Sequence, residues 1–176
     1  MRFAFVLALV LIIVVALTAA CGDDSTETAS PNTETADPNT ETGPNTETVG
    51  PFTETLHFTR AGHDVTLEVA VADELQERVQ GLMNVPSLPD DVGLLFVWPE
   101  DTLSGFWMKD TVIPLSIAFV TAGGVIIDIQ DMVPLSEELI TAPGPFRYAV
   151  EVNQGWFADN DVRVDDLVQL PVGLGS

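Results

Sequence analysis

The stretch Val65-Thr66-Leu67-Glu68-Val69-Ala70-Val71 decides the fold class. Val65, Leu67, Val69 and Val71 fall on one side of an extended chain and Thr66, Glu68 and Ala70 on the other, the period of a half-buried strand. Upstream, Leu56-His57-Phe58 and a turn through Arg60-Ala61-Gly62 supply the first arm of a hairpin that ends in this strand. Downstream, short apolar runs occur at Leu94–Trp98, Phe106–Met108, Leu115–Val120, Val125–Ile129 and Tyr148–Val152. Pro99, Pro114, the Gly123-Gly124 turn and a Pro-rich loop from Pro134 to Pro145 separate them. One short turn is expected at Gly155-Trp156-Phe157-Ala158, then a last strand pair around Val162–Val164 and Leu167–Pro171. Many short strands at close spacing specify a compact, mainly β (α+β) domain, either a β-sandwich or a barrel-like sheet.

One helix interrupts this pattern, from Asp73 to about Val79. Asp73 is placed to cap it, Gln76 occupies the capping-box position, and Leu75, Val79 and Leu82 share a face. Glu74 is spaced to pair with Arg78, Gly81 ends the helix, and Pro86 and Pro89 break the chain beyond it. Residues 56–176 thus form a single β-rich domain of about 120 residues, long enough to bury about 60% of its unfolded surface in one core.

The N-terminal third reads differently. Met1-Arg2, an unbroken apolar run from Phe3 to Leu17 and the small residues before Cys21 describe a signal peptide over residues 1–20. Cysteine after small residues resembles a lipobox, in which Cys21 carries diacylglycerol and becomes the anchored mature N-terminus; Thr18 stands where Leu is favoured. Residues 21–55 then turn to Thr, Glu, Asn, Pro, Asp, Ser and Gly. Pro-Asn-Thr-Glu-Thr occurs at Pro31–Thr35, Pro38–Thr42 and Pro44–Thr48, and a worn copy at Pro51–Thr55. Eight acids and no base make Gly22–Thr55 a disordered, self-repelling tether, with a coil span of about 30–35 Å that rises toward roughly 100 Å when stretched. The expected location is the outer face of the cell membrane, lipid-anchored, with the domain facing outward.

Charge excludes several functions. The 176 residues carry 27 Asp+Glu against 6 Lys+Arg, a formal net charge of −21. Residues 56–176 hold 19 acids and 5 bases, a net near −14. A surface with one lysine, Lys109, cannot neutralise phosphates, so nucleic acid is not an expected partner. The acid excess points instead to a salt-rich habitat, where screening relieves self-repulsion. Two His and one Cys are too few for zinc fingers, disulfide scaffolds or Cys/His clusters. Met83, Met108 and Met132 show no Met-x-x-Met spacing for Cu(I), and Asp159-Asn160-Asp161 lacks the Gly and closing Glu of a calcium loop. No cofactor or metal is expected.

Several stretches stand together in order: Gly81-Leu82-Met83, Gly93-Leu94-Leu95-Phe96, Phe106-Trp107-Met108-Lys109-Asp110-Thr111-Val112-Ile113-Pro114-Leu115, Arg147-Tyr148-Ala149-Val150-Glu151-Val152-Asn153-Gln154-Gly155, and Val164-Asp165-Asp166. They resemble the bacterial and archaeal family catalogued as domain of unknown function 192, over nearly all of residues 64–170. The resemblance implies a compact, mainly β fold, often exported or membrane-anchored, and supplies no activity. Departures stand at Asp110, where members usually carry Asn, at Ser116, where they carry Asp, and at Asp165, where they carry Gly.

The candidate ligand-binding residues are Trp107, Lys109, Asp110, Arg147, Glu151 and Asn153. Lys109 is a lone cation beside Trp107 and Asp110, suited to a carboxylate, a sulfate or an aromatic face; its structural alternative is an ion pair with Asp110 or another acid. Arg147, Glu151 and Asn153 alternate with Tyr148, Val150 and Val152, which lines either a polar pocket or a solvated sheet face with a cross-strand pair. No Gly-x-Ser-x-Gly elbow surrounds any serine. The first functional expectation is a tethered, non-catalytic β domain that binds a small ligand or an envelope partner. The alternative is an extracytoplasmic hydrolase using carboxylates, for which 19 acids offer too many pairings to single one out.

Overall fold

A computed structural model describes residues 50–171, 173 and 174. The expected signal segment, Cys21 and most of the expected tether lie outside the described residues. The described residues form seven strands: β1 (Glu54–Arg60), β2 (His63–Ala72), β3 (Val92–Thr102), β4 (Leu115–Val120), β5 (Ile126–Met132), β6 (Phe146–Asn153) and β7 (Leu167–Gln169). Helix α1 (Leu75–Gln80) lies between β2 and β3, and α2 (Trp156–Asp159) between β6 and β7. All seven strands join one sheet in the order β5-β4-β6-β3-β2-β1-β7. Only β2 and β3 pair in parallel, and α1 sits in the crossover that such a pair requires.

The sheet curls into a half-barrel, so the mainly β expectation holds in its barrel-like form. Its edge strands approach each other at one end, where Val125 bridges Leu167 and the Val168 amide donates to the Gly124 carbonyl at 2.7 Å. Gly124 has φ +80°, and a Cβ there would stand 2.6 Å from the Val168 carbonyl oxygen, so this closure requires glycine.

The alternation in β2 is real but the strand is buried more deeply than a half-buried pattern implies, with Leu67, Val69 and Ala70 all inaccessible. Both faces of the sheet are covered. On one, Leu56, Phe58, Leu67, Leu95, Ala118, Val150 and Val168 pack with Trp156 and Phe157 of α2. On the other, Ala70, Leu94, Phe96, Ile117, Phe119 and Ala149 pack under Leu82, Val85 and Leu88, which follow α1, and under Phe106, Met108 and Ile113. Phe106–Met108 is not the expected strand. Phe106 alone bridges Ile140, and the segment folds over the sheet as a loop that buries Phe106 and Met108 and leaves Trp107 44% exposed. Val162–Val164 is not a strand either; it leads into β7 through a turn in which the Asp166 carboxylate accepts from the Arg163 amide at 2.9 Å.

Helix α1 departs from its expected construction. The capping box falls one residue later, on Glu74 and Glu77, rather than on Asp73 and Gln76. Leu75 and Val79 are 64% and 59% exposed, and no residue of the helix is buried. Arg78 does not pair with Glu74: its Nη1 donates to the Asp73 carbonyl and, at 2.8 Å, to the Val97 carbonyl. The Arg78 guanidinium thus ties the helix to β3, and Leu75 and Val79 face an opening.

Candidate functional site

That opening is a cavity of about 270 Å³. Helix α1 gives it Leu75, Arg78 and Val79; β3 gives Phe96 and Trp98; the loop after β3 gives Ser104, Phe106, Trp107 and Thr111; β6 gives Glu151. The aromatic wall is closely packed. Phe106 packs edge-on against Phe96 at 5.1 Å and Trp98 at 5.9 Å, and Trp98 meets Phe146 edge-on at 5.3 Å. The Arg78 guanidinium lies 5.6 Å over the Trp98 ring.

Glu151 is the chemically unusual member. On β6 it sits opposite Leu94 of β3 and Ile117 of β4, in the middle of an apolar face, and is 5% exposed. Among the described residues no side chain donates to or pairs with its carboxyl. Burial therefore acts unopposed and pushes its pKa up from 4.5 to about 8. Among the described residues it is the only carboxyl lining the cavity.

The six residues singled out by sequence do not converge. Trp107 and Glu151 line the cavity. Lys109 holds its ammonium over the Trp107 ring, 5.4 Å from its centre, and forms no ion pair with Asp110 or another acid among the described residues. Asp110 occupies a left-handed turn, φ 56°, where its carbonyl accepts from the Asn84 amide at 2.8 Å. Arg147 pairs with Asp101 at 2.9 Å, about 13 Å along the strand from Glu151. The Asn153 amide donates to the Leu88 and Pro89 carbonyls at 3.0 and 3.1 Å, pinning the layer that covers the sheet. Arg147 and Asn153 are thus engaged with Asp101 and with the Leu88 and Pro89 carbonyls, away from the cavity that Glu151 lines.

The residues that sequence reasoning missed are Arg78, Phe96, Trp98, Phe106 and Thr111. Arg78 carried only a helix-pair signal, and the aromatics read as ordinary strand residues. Elsewhere, Arg60 and Arg163 clamp Asp161, whose carboxyl is held below its ordinary value first by the Arg163 hydrogen bond, and Arg60 also reaches Asp166 at 3.5 Å. No three His, Cys, Asp or Glu side chains among the described residues are grouped to hold a metal.

Fold and cavity define a class, a half-barrel β domain with an aromatic pocket on one sheet face. Residues 56–170 match DUF192, described as an uncharacterised ACR, and the chain belongs to that family. No curated protein matches the chain. A crystal structure described as a candidate transcription regulator from Sinorhizobium meliloti 1021 is 32% identical, with a TM-score of 0.64, covering 66% of this chain and 92% of its own. A protein of unknown function from Novosphingobium aromaticivorans DSM 12444 is 29% identical, with a TM-score of 0.63, covering 65% and 83%.

Proposed function

We propose that the domain is a non-catalytic binding module, held outside the membrane through a lipid on Cys21, and that it takes a small ligand into the cavity floored by Glu151. The carrying observation is the carboxyl of Glu151, a residue only 5% exposed, which opens into an aromatic pocket with no side-chain partner among the described residues. Such a group costs stability, and an apolar residue would fill the same place more favourably; positions that lower stability are where function is to be sought. A leucine-lined cavity of about 150 Å³ takes up benzene. One of about 270 Å³ therefore accommodates a ring with substituents.

A carboxylate hydrolase is less well supported, because paired acid and base groups are needed and this cavity offers one carboxyl. The transcription described for the Sinorhizobium protein is not carried over, since a domain with 19 acids and 5 bases repels nucleic acid. The expected tether suits a module that must reach a partner or a diffusing ligand beyond the membrane surface.

Val79, exposed at the mouth, tests the pocket. Val79→Trp is expected to leave the melting temperature within a few degrees and to weaken, at least tenfold, any small ligand found by tryptophan-fluorescence screening. Ligand binding undiminished in this variant places the ligand elsewhere. For the anchor, intact mass of the native protein is expected to show a diacylglyceryl group on an N-terminal Cys21; an unmodified thiol still joined to residues 1–20 overturns it.

A further inference from the structure

Resting on the pocket reading above, we infer that the ligand is a small organic cation whose substituted ammonium group enters the aromatic pocket and pairs with the Glu151 carboxylate. Three observations converge on it. The carboxyl has no cation or donor beside it among the described residues, so its charge is left for the ligand to satisfy. Phe96, Trp98, Phe106 and Trp107 line the same cavity as Glu151, and two of these rings, Trp98 and Trp107, already carry a cation of the protein on one face, which shows that these aromatics hold cationic groups. The domain's net charge near −14 concentrates cations around the mouth and repels anionic ligands.

The other ionisable group in the lining is Arg78 on α1. Its guanidinium is committed to the Asp73 and Val97 carbonyls and the face of Trp98. The strands flanking Glu151 bring Leu94, Phe96, Ile117 and Phe119, none of which titrates. Lys109 and Asp110, on the covering loop, are exposed and outside the lining. Binding a cation therefore requires Glu151 to release its proton to solvent: the O–H bond breaks, the proton leaves to buffer, and the carboxylate pairs with the ammonium. Affinity for a permanently charged cation then rises with pH, about tenfold per unit, until it levels near pH 8.

The probes are benzyltrimethylammonium, benzyl alcohol and benzoate, titrated into the full domain at pH 6, 7 and 8.5 with tryptophan fluorescence and calorimetry in two buffers of different ionisation enthalpy. The expected result is that benzyltrimethylammonium binds, gains at least tenfold between pH 6 and 8.5, releases close to one proton at pH 7, and loses both affinity and pH dependence in Glu151→Gln. Binding of benzyl alcohol or benzoate at least as tight as the cation, abolished by Val79→Trp, overturns the cation inference and leaves the pocket reading standing. Binding by none of the three, with Glu151→Gln folded, overturns both.

Discussion

Glu151→Gln is expected to raise the free energy of unfolding by about 3 kcal/mol at pH 7 and to change it little at pH 4.5, so that the variant melts roughly 10 °C above the parent near neutrality. In the unfolded chain the carboxyl titrates at its ordinary value of 4.5, and in the folded protein at about 8. Between those values the folded state holds a proton that the unfolded chain has released. Stability therefore is fully present below about pH 4.5 and falls by about 1.4 kcal/mol per pH unit until the folded group itself ionises. Glutamine has the same shape and no proton to lose, so it abolishes that slope while keeping the polar atoms in place. Asp161, whose folded pKa is lowered, contributes in the opposite sense at acid pH, and it cancels when variant and parent are compared. Urea unfolding of both proteins across pH 4.5–8.5 checks the prediction, and parallel stability curves would refute it.

The second large effect is steric. Gly93 lies in β3, between β2 and β6, paired with Val69 of β2 on one side and Val152 of β6 on the other. A Cβ at this position would stand 2.7 Å from the Glu151 carbonyl oxygen and 3.0 and 3.1 Å from Val152 and Leu67 side-chain atoms. Backbone of a central strand cannot yield as a side-chain tip can, so Gly93→Ala is expected to destabilise the domain by about 3 kcal/mol. That lowers its melting temperature by roughly 10 °C and displaces the strand that carries Glu151. Gly144→Ala is the control, because no atom lies within 4 Å of its Cβ position; it should stay within about 0.5 kcal/mol of the parent. Equal melting temperatures for the two alanine variants would contradict the packing described.

How much was legible follows from what each level of structure encodes. Period-2 alternation and turn residues located the strands well, since both act over a few residues: Leu115–Val120 is β4 as expected, and the Gly123-Gly124 turn joins β4 to β5. The helix was found but what its apolar residues meet was not, because Leu75, Val79 and Leu82 have helical spacing whether they enter a core, as Leu82 does, or rim a cavity, as Leu75 and Val79 do. Phe106–Met108 has strand composition and becomes a covering loop because tertiary pairing with Ile140 offers its backbone only one bridge.

The departures from the family pattern have local meanings. Asp110 and Asp165 sit at φ 56° and 74°, in the left-handed region where Asn and Gly are the less strained choices. Ser116 is buried and links β5 to the start of α2, donating to Asp131 at 2.6 Å and accepting from the Gly155 amide at 3.0 Å. None of the three lines the cavity. Glu151 was visible as one of three polar residues on a strand face. Its isolation was not, because Arg147 and Asn153 find partners distant in sequence, Asp101 and the Leu88–Pro89 carbonyls, that only the folded chain brings near.

Central to the whole account is a single buried carboxyl kept neutral in a pocket near physiological pH. Carbon-13 NMR titration of the Glu151 side-chain carboxyl, assigned by its absence in Glu151→Gln, measures that proton directly. A midpoint near pH 8 that moves downward when benzyltrimethylammonium is added is the result predicted. A midpoint at the ordinary value of 4.5, unmoved by the cation, would contradict both the burial and the role assigned to it.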